Sequence, residues 1–435
     1  MKTKLNSKFW LTLTLFSLIG QVAWVVENMY LNVFIYETFQ AAPKDISAMV
    51  SASAIAATLT TIFIGALSDK VGKRKLFMCG GYILWGISIL GFAFVRADVL
   101  EPIIPATVSV ATVGISLVII LDCVMTFFGS SANDAAFNAW LTDSTDDSNR
   151  GSAEGINAMM PLVAILAVFG GFMLIPKEGN AAYWPTVFTI IGVVVLVIGI
   201  AGFFIIEEPK IKPSETGYMR NIVHGFLPST IKNNLALYTC LASFIVFNIS
   251  IQIFMPYLII YYDKTLALGG SYVFIMAPAV IIASVVTAFW GKVYDKKGYG
   301  FSGYLALLFL MLGYIVLFAS QNIVLVFIGS LLMMSGYLAG MAVFGAKIRD
   351  LTPEGKSGMF QGVRIFSQVL VPGIIGPKIG ELILSGAEMI EGDDGTFSFI
   401  PNQNIFLGAL VAAILAITMM YIFRNIKVRS EVENG

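Results

Sequence analysis

The sequence predicts an all-α protein that crosses a membrane many times, and three observations carry that prediction. Apolar residues make up 57% of the chain and charged ones only 12%, which inverts the proportions of a soluble domain. The apolar residues gather into runs near the roughly 20 that a helix needs to cross hydrocarbon. None of the runs shows the ten-residue apolar–polar alternation of a membrane β-barrel.

Twelve spans follow, at 9–37, 45–67, 75–95, 106–142, 153–175, 184–206, 233–262, 270–292, 302–319, 322–348, 358–384 and 402–424. The first is too long for a signal-peptide core and no small-residue cleavage site follows it, so it is expected to stay as a membrane helix. The second, "SAMVSASAIAATLTTIFIGAL", has no carboxylate before Asp69. The fourth is long enough for its cytoplasmic end to project beyond the bilayer. Pro256 removes a backbone donor from the seventh and is expected to kink it. The eleventh carries "GIIGPKIG" (Gly373 to Gly380), which allows a kink or a close helix approach.

Lysine and arginine set the expected orientation. One side of the membrane collects 21 of the 27, and the other has four, Lys44, Arg96, Lys177 and Lys264. By the positive-inside rule both termini face the cytoplasm, as in a multi-pass protein of a cytoplasmic or inner membrane. The longest polar connection, "EEPKIKPSETGYMRNIVHGFLPSTIK" (Glu207 to Lys232), divides the spans six and six. The expected organisation is therefore an N-terminal six-helix bundle at 1–206, a cytoplasmic linker at 207–232 and a C-terminal bundle at 233–435. The acidic stretch "EGDDGTF" near Asp393 falls outside and reads as a solvated turn, since its spacing matches no calcium loop.

Composition also excludes functions. The formal net charge is zero, so nothing points to nucleic acid. Cys79, Cys123 and Cys240 lie far apart in or beside apolar runs and read as small core residues, not a metal site or a disulfide framework. No nucleophile elbow, metal-ligand cluster or phosphate-cradling loop is present, so neither an enzyme nor a cofactor is expected. The only histidine, His224, lies in the linker, which leaves carboxylates to do any proton chemistry within the membrane.

Two stretches repeat across the linker. "GALSDKVGKRK" (Gly65 to Lys75) returns as "GKVYDKKGYG" (Gly291 to Gly300), and "FNAWLTDSTDDSNRGSAEG" (Phe137 to Gly155) returns as "FGAKIRDLTPEGKSGMFQG" (Phe344 to Gly362). Asp69 thus matches Asp295, and Asp143 matches Asp350. The first pair follows helices two and eight, the second helices four and ten. Equivalent positions in both halves point to a duplicated six-helix unit.

With Gly65, Asp69, Lys70, Gly72, Lys73 and Arg74 in one loop, the chain resembles the major facilitator superfamily. The resemblance implies two pseudo-symmetric six-helix bundles, alternating access and a cytoplasmic gate at this loop. Glycine permits its tight turn. Asp69 can meet the positive end of a neighbouring helix, and Lys73 and Arg74 can pair with acids of the facing half. The gate set is Gly65, Asp69, Gly72, Arg74, Asp143, Arg150, Asp295 and Asp350. For Arg150 the simpler reading is an intrahelical pair with Glu154.

Phe137 to Asp143 with Arg150-Gly151, and a first helix bearing Gly20, Trp24, Glu27 and Tyr30, are similar to the glycoside–pentoside–hexuronide cation symporters and related sucrose transporters. Two departures matter. The acids those symporters place in helix two are missing, and their helix-five arginine is replaced by the neutral stretch around Asn157. Neither sodium coupling nor their galactoside contacts carry over.

Polar side chains inside the spans supply the candidate site, because a charge at the bilayer centre costs about 3 kcal/mol or more unless it meets a cavity or partner. Gln21, Trp24 and Asn28 are spaced i, i+3, i+7 along one face of helix one, with Glu27 at its border. Amide and carboxylate bond hydroxyls and an indole covers a sugar's apolar face. In helix four, Asp122 lies deep in the run, about 20° from Asn133 on an α-helical wheel, with Asp134 and Asn138 nearer the cytoplasm. Burial of a lone carboxyl favours its protonated form, which a proton carrier requires. Helix seven adds Asn248 and Gln252. Helix eleven adds Gln361, Arg364 and Gln368; Arg364 either neutralises an acid of the first half, binds an anionic substrate or snorkels to the cytoplasm.

The expected function is cation-coupled symport of a sugar or glycoside, by proton or sodium. Substrate contacts come from Gln21, Trp24, Glu27, Asn28, Asn157, Asn248, Gln252, Gln361, Arg364 and Gln368, and the cation sits at Glu27, Asp122 or Asp134. The expected partners are the solute, the coupling ion and the lipid bilayer, with the chain a monomer. Export of an amphipathic or lipid-like compound is the alternative that the phenylalanine content suits. A non-transporting sensor would be expected to carry a long tail or soluble domain, and both tails here are short.

Overall fold

A computed structural model describes residues 5–146, 149–177, 179–208, 225–353, 357–391 and 397–433. The chain forms two compact units, Met1–Met219 and Arg220–Gly435. The first holds α1 (Ser7–Phe39), α2 (Pro43–Val71), α3 (Arg74–Phe92), α4 (Val110–Asp143), α5 (Arg150–Met173) and α6 (Tyr183–Ile205). The second holds α7 (Leu235–Thr265), α8 (273–297), α9 (299–319), α10 (Ile323–Leu351), α11 (357–384) and α12 (Asn404–Glu433). Helices α8 and α9 meet at Gly298, whose φ of 75° and ψ of 177° fold the chain back, so that Trp290 Nε1 of α8 donates to the Ser302 carbonyl of α9 at 3.2 Å.

These helices form because lipid satisfies no backbone polar group, so each N–H and C=O must be bonded within its own segment. Their ends carry local signals. The Asn6 side chain accepts from Phe9 N at 2.8 Å at the start of α1, and Asn322 accepts from Val324 N at 3.0 Å at the start of α10. Both satisfy donors that have no partner inside the helix. Outward faces remain apolar, with Leu59, Phe63, Ile120 and Phe289 all exposed, the pattern of helices solvated by lipid.

Inside the first unit α3 packs on α6, α1 on α5, and α4 on both α2 and α3; inside the second α7 packs on α11 and α12, and α10 on the α8–α9 pair. Aromatic side chains fill both cores. Trp85, Tyr82 and Phe16 are fully buried in the first, and Tyr257, Tyr261, Tyr262 and Tyr314 in the second.

Three features depart from expectation. Helix α4 begins at Val110, not 106, because Pro102 and Pro105 keep the preceding chain out of helix and Ser109 caps the start. Helix α12 runs to Glu433, past the expected end at 424. A two-stranded hairpin, β1 (Met389–Glu391) and β2 (Phe397–Phe399), flanks the acidic stretch. That stretch, at 392–396, lies outside the described residues, as do 209–224 of the linker, with His224.

Candidate functional site

The first unit builds a buried polar cluster where α1, α2 and α4 meet. Its origin is an irregularity in α1, where the backbone widens to a π-turn over Val26–Tyr30. Such turns insert a residue into the helix and occur often at functional sites. Two amides bond the surrounding backbone: Asn28 Nδ2 donates to the Trp24 carbonyl at 2.8 Å and Asn32 Nδ2 to the Asn28 carbonyl at 3.0 Å.

The widened turn sends Glu27 into the bundle, where it is 7% exposed. Glu27 Oε1 accepts from Ser53 Oγ of α2 at 2.7 Å and from Thr126 Oγ1 of α4 at 2.9 Å, and the two hydroxyls lie 2.8 Å apart. Ser53 also engages Asp122, one turn before Thr126 on α4, and Asp122 in turn feels the charge of Glu27. Asp122 is 1% exposed. One oxygen of each acid, Glu27 Oε2 and Asp122 Oδ1, is buried with no hydrogen-bond partner among the described residues. A buried polar atom left so is costly unless something supplies a partner.

Helix α4 continues the polar file. Asp122, Thr126, Ser130, Asp134 and Asn138 recur every four residues, and a second π-turn spans Ser130–Phe137. Four residues overshoot one α-turn and fall short of one π-turn, so the change of pitch keeps the file together. Ser130 Oγ donates to Asp134 Oδ2 at 2.9 Å, and the Asp134 charge reaches Glu27. Asn138 Nδ2 donates to the Asp134 carbonyl at 3.1 Å. Asn133 keeps different company from Asp122. Its Nδ2 donates to Tyr82 OH at 2.8 Å, and Tyr82 OH donates to the Phe16 carbonyl at 2.5 Å. The pair near in angle on the wheel thus shares no partner.

Glu27 and the neighbouring stripe diverge in accessibility. Gln21 and Trp24 are half-buried and Asn28 is exposed, while Glu27 turns toward α2 and α4. Trp24 leans on Trp85 of α3, ring centroids 5.0 Å apart. Asn157 of α5 accepts from Ser17 Oγ at 2.5 Å, which ties α5 to α1.

In the second unit Asn248 is buried and donates to the Phe244 carbonyl of its own helix at 2.8 Å. Gln252 lies against α11, its Cβ at the Gly376 backbone. Pro256 interrupts α7 as expected, with a tight turn at Met255–Tyr257, and π-turns follow at Tyr261–Thr265 in α7 and Phe366–Leu370 in α11. Arg364 and Gln368 are half-buried. Arg364 joins no ion pair among the described residues, and the charge it feels is another cation, Arg349. The Gln361 side chain lies outside the described residues, and so does that of Asp69.

The repeated loops close each unit by different chemistry. Gly72 ends α2 in the left-handed conformation, φ 67°, which a side chain rarely tolerates. Arg74 Nε donates to Asp143 Oδ2 at 2.9 Å and Arg74 Nη1 to Ser68 Oγ at 2.5 Å. Glu208, just after α6, accepts from the backbone N–H groups of Arg74 at 2.5 Å and Lys75 at 3.1 Å, at the start of α3. In the second unit Tyr294, the counterpart of Ser68, donates straight to Asp350 Oδ2 at 2.5 Å. Gly300 stands there where Arg74 stands in the first. Asp295 is exposed and Gly65 half-buried. Arg74 pairs with Asp143, an acid of its own bundle at the end of α4, across the left-handed turn at Gly72. One expectation is corrected. Arg150 does not reach along α5 to Glu154; its guanidinium folds back onto Thr145, donating to Oγ1 at 3.3 Å and the carbonyl at 3.2 Å.

Ser53 and Thr126 went unnoticed in the sequence, since a lone hydroxyl in an apolar helix carries no signal. The four-residue spacing from Asp122 to Thr126 was the one clue.

Two six-helix units of apolar helices, the first enclosing a buried polar cluster, define a polytopic membrane protein. Residues 11–377 match the model of the Major Facilitator Superfamily, and the chain belongs to that family. A search of curated proteins finds no match. Among solved structures, a bacterial homolog of the human lysosomal transporter Spinster is similar, with TM-score 0.72 and 13% identity over 97% of this chain and 98% of that one. The xylose transporter XylE from E. coli gives 0.68 and 16% over 96% and 98%, and the nucleoside transporter NupG 0.69 and 13% over 96% and 100%. At these identities the likeness concerns the fold.

Proposed function

We propose that the protein is a cation-coupled symporter of a sugar or glycoside, working by alternating access. The observation that carries this reading is the Glu27–Ser53–Thr126–Asp122 cluster. Two acids with no ion pair among the described residues, each with an oxygen that has no partner there, are suited to bind and release a small cation. Trp24, Gln21 and Asn28, on the accessible side of the same helix, suit a polyol.

Substrate contacts are assigned to Gln21, Trp24, Glu27, Asn28 and Asn157 of the first half and to Asn248, Gln252, Gln361, Arg364 and Gln368 of the second. Asp134 serves as a further cation station. Gly65, Asp69, Gly72, Arg74, Asp143, Arg150, Asp295 and Asp350 form the cytoplasmic gate. The halves are 1–206 and 233–435, joined by 207–232. The chain acts as a monomer in the cytoplasmic or inner membrane with both termini in the cytoplasm. The solved structures lend support, since XylE and another similar structure are described as a xylose transporter and a D-xylose–proton symporter.

The test is uptake into proteoliposomes. Radiolabelled melibiose, sucrose and xylose are offered in turn, with a proton or sodium gradient imposed. Accumulation of one sugar above its outside concentration, abolished when the gradient is collapsed, is the expected result. No gradient-dependent uptake of any glycoside, with uptake of a lipophilic cation instead, contradicts the reading.

A further inference from the structure

We propose that Trp85 is a positioning residue for solute recognition. It holds the Trp24 indole at the angle at which that ring takes the apolar face of a sugar, and Gly129 sets how deep the indole sits. The proposal rests on the symport reading above and deepens it.

The argument begins with what holds Trp24. A partly exposed indole has several rotamers open to it unless packing selects one. Here packing does. Trp24 is half-buried on α1, and Trp85 behind it on α3 is fully buried. Their ring centroids lie 5.0 Å apart with the planes tilted by 49°, a separation at which aromatic pairs attract beyond the area they bury. Trp85 is fixed in its turn. Tyr82, three residues earlier on α3, meets it edge-on at 5.4 Å, and Phe16 of α1 meets Tyr82 at 4.6 Å. The Tyr82 hydroxyl is tied by Asn133 on one side and the Phe16 carbonyl on the other. The row Phe16–Tyr82–Trp85–Trp24 therefore leaves α1, crosses α3 and returns to α1. Its first three members are fully buried, and Trp24 is the one left partly open.

Helix α4 supplies the floor. A Cβ at Gly129 would fall 2.7 Å from Trp85 Cε2, 2.9 Å from Trp85 Cζ2 and 3.0 Å from Trp24 Cη2. One position thus bears on both indoles, and a methyl group there displaces the pair. The seat also adjoins the acid cluster on both helices. Trp24 precedes Glu27 by three residues on α1, and Gly129 follows Thr126, which donates to Glu27, by three on α4.

The chemistry of a sugar fits this arrangement. Its C–H face packs on an indole, while hydroxyls at its rim bond amides such as Gln21 and Asn28, three residues before and four after Trp24 on the same face. An indole already seated loses no rotamer freedom when the solute arrives, so less of the binding energy goes into ordering it.

A cycle of variants in proteoliposomes tests this, with the labelled sugar that the wild type accumulates. Trp85→Ala is expected to raise KM about three- to tenfold, the range that one aromatic pair supplies. The maximal rate should stay within about twofold, the mark of binding lost equally before and during translocation. Trp85→Phe, which keeps a ring, restores most of the affinity and guards against a variant that fails to fold. In a Trp24→Ala background neither Trp85→Ala nor Gly129→Ala adds a further loss, because both act through Trp24. An equal loss in that background overturns the proposal, and so does a lower maximal rate at unchanged KM. Tryptophan emission reads the seat without any solute. Subtracting the spectrum of Trp24→Phe isolates the Trp24 component, in the wild type and in Trp85→Ala alike. Loss of Trp85 should move that component to longer wavelength and open it to acrylamide quenching. An unchanged component shows that Trp24 is held without Trp85 and overturns the proposal. A shifted component, with no sugar taken up by the wild type, upholds Trp85 as the seat of Trp24 and removes the symport reading instead.

Discussion

Glu27 shows what a single residue reveals and conceals. A carboxylate in the first apolar run marked itself in the sequence, because hydrocarbon tolerates an acid only where something answers it. What answers it, Ser53 and Thr126, comes from two other helices. No sequence pattern records such an encounter across 26 and 99 residues. Gly20 makes a related point. A Cβ there would lie 2.2 Å from Asn133 Nδ2 and 2.6 Å from Tyr82 OH, so its absence admits the Asn133–Tyr82–Phe16 chain. Gly20→Val is expected to cost about 1–3 kcal/mol, as overpacked cores do, and to lower the thermal unfolding midpoint of the purified protein by several degrees. An unchanged midpoint would mean that the chain of hydrogen bonds yields without cost.

At the scale of elements, helix existence was legible and helix irregularity was not. Span boundaries followed from runs of apolar residues, and the kink of α7 followed from Pro256. The π-turns in α1, α4, α7 and α11 leave no residue signature, since they arise from how neighbours pack. A wheel drawn at a uniform pitch therefore misjudges which residues stand together past them. The β-hairpin at 389–399 escaped for another reason: three-residue strands are too short for alternation to register. The loop after α2 was recognised by its glycine and charges, but its arginine turned inward. Arg74, Ser68 and Asp143 bind the ends of α2, α3 and α4 into one joint. Arg74→Ala and Asp143→Ala are each expected to destabilise the protein by about 1–3 kcal/mol. The double variant should cost less than the sum, with a coupling of roughly 0.5–3 kcal/mol. Additive losses in a thermal-unfolding cycle would show that the two residues act independently.

For the whole molecule, the duplicated loops and the six-plus-six division pointed to a major facilitator protein before any coordinates, because repeats survive in sequence where pockets do not. The solute lies beyond that reading: amides and indoles recognise polyols in general, and their spacing names no particular sugar. Coupling is the central claim, and it places an ion on Asp122 and Glu27 while solute crosses. The most direct measurement compares two modes of transport in proteoliposomes bearing Asp122→Asn, using whichever labelled sugar the wild type accumulates. Exchange of labelled for unlabelled sugar needs no ion gradient, and it should persist near the wild-type rate. Gradient-driven accumulation should disappear. Accumulation at the wild-type level in that variant would contradict the account.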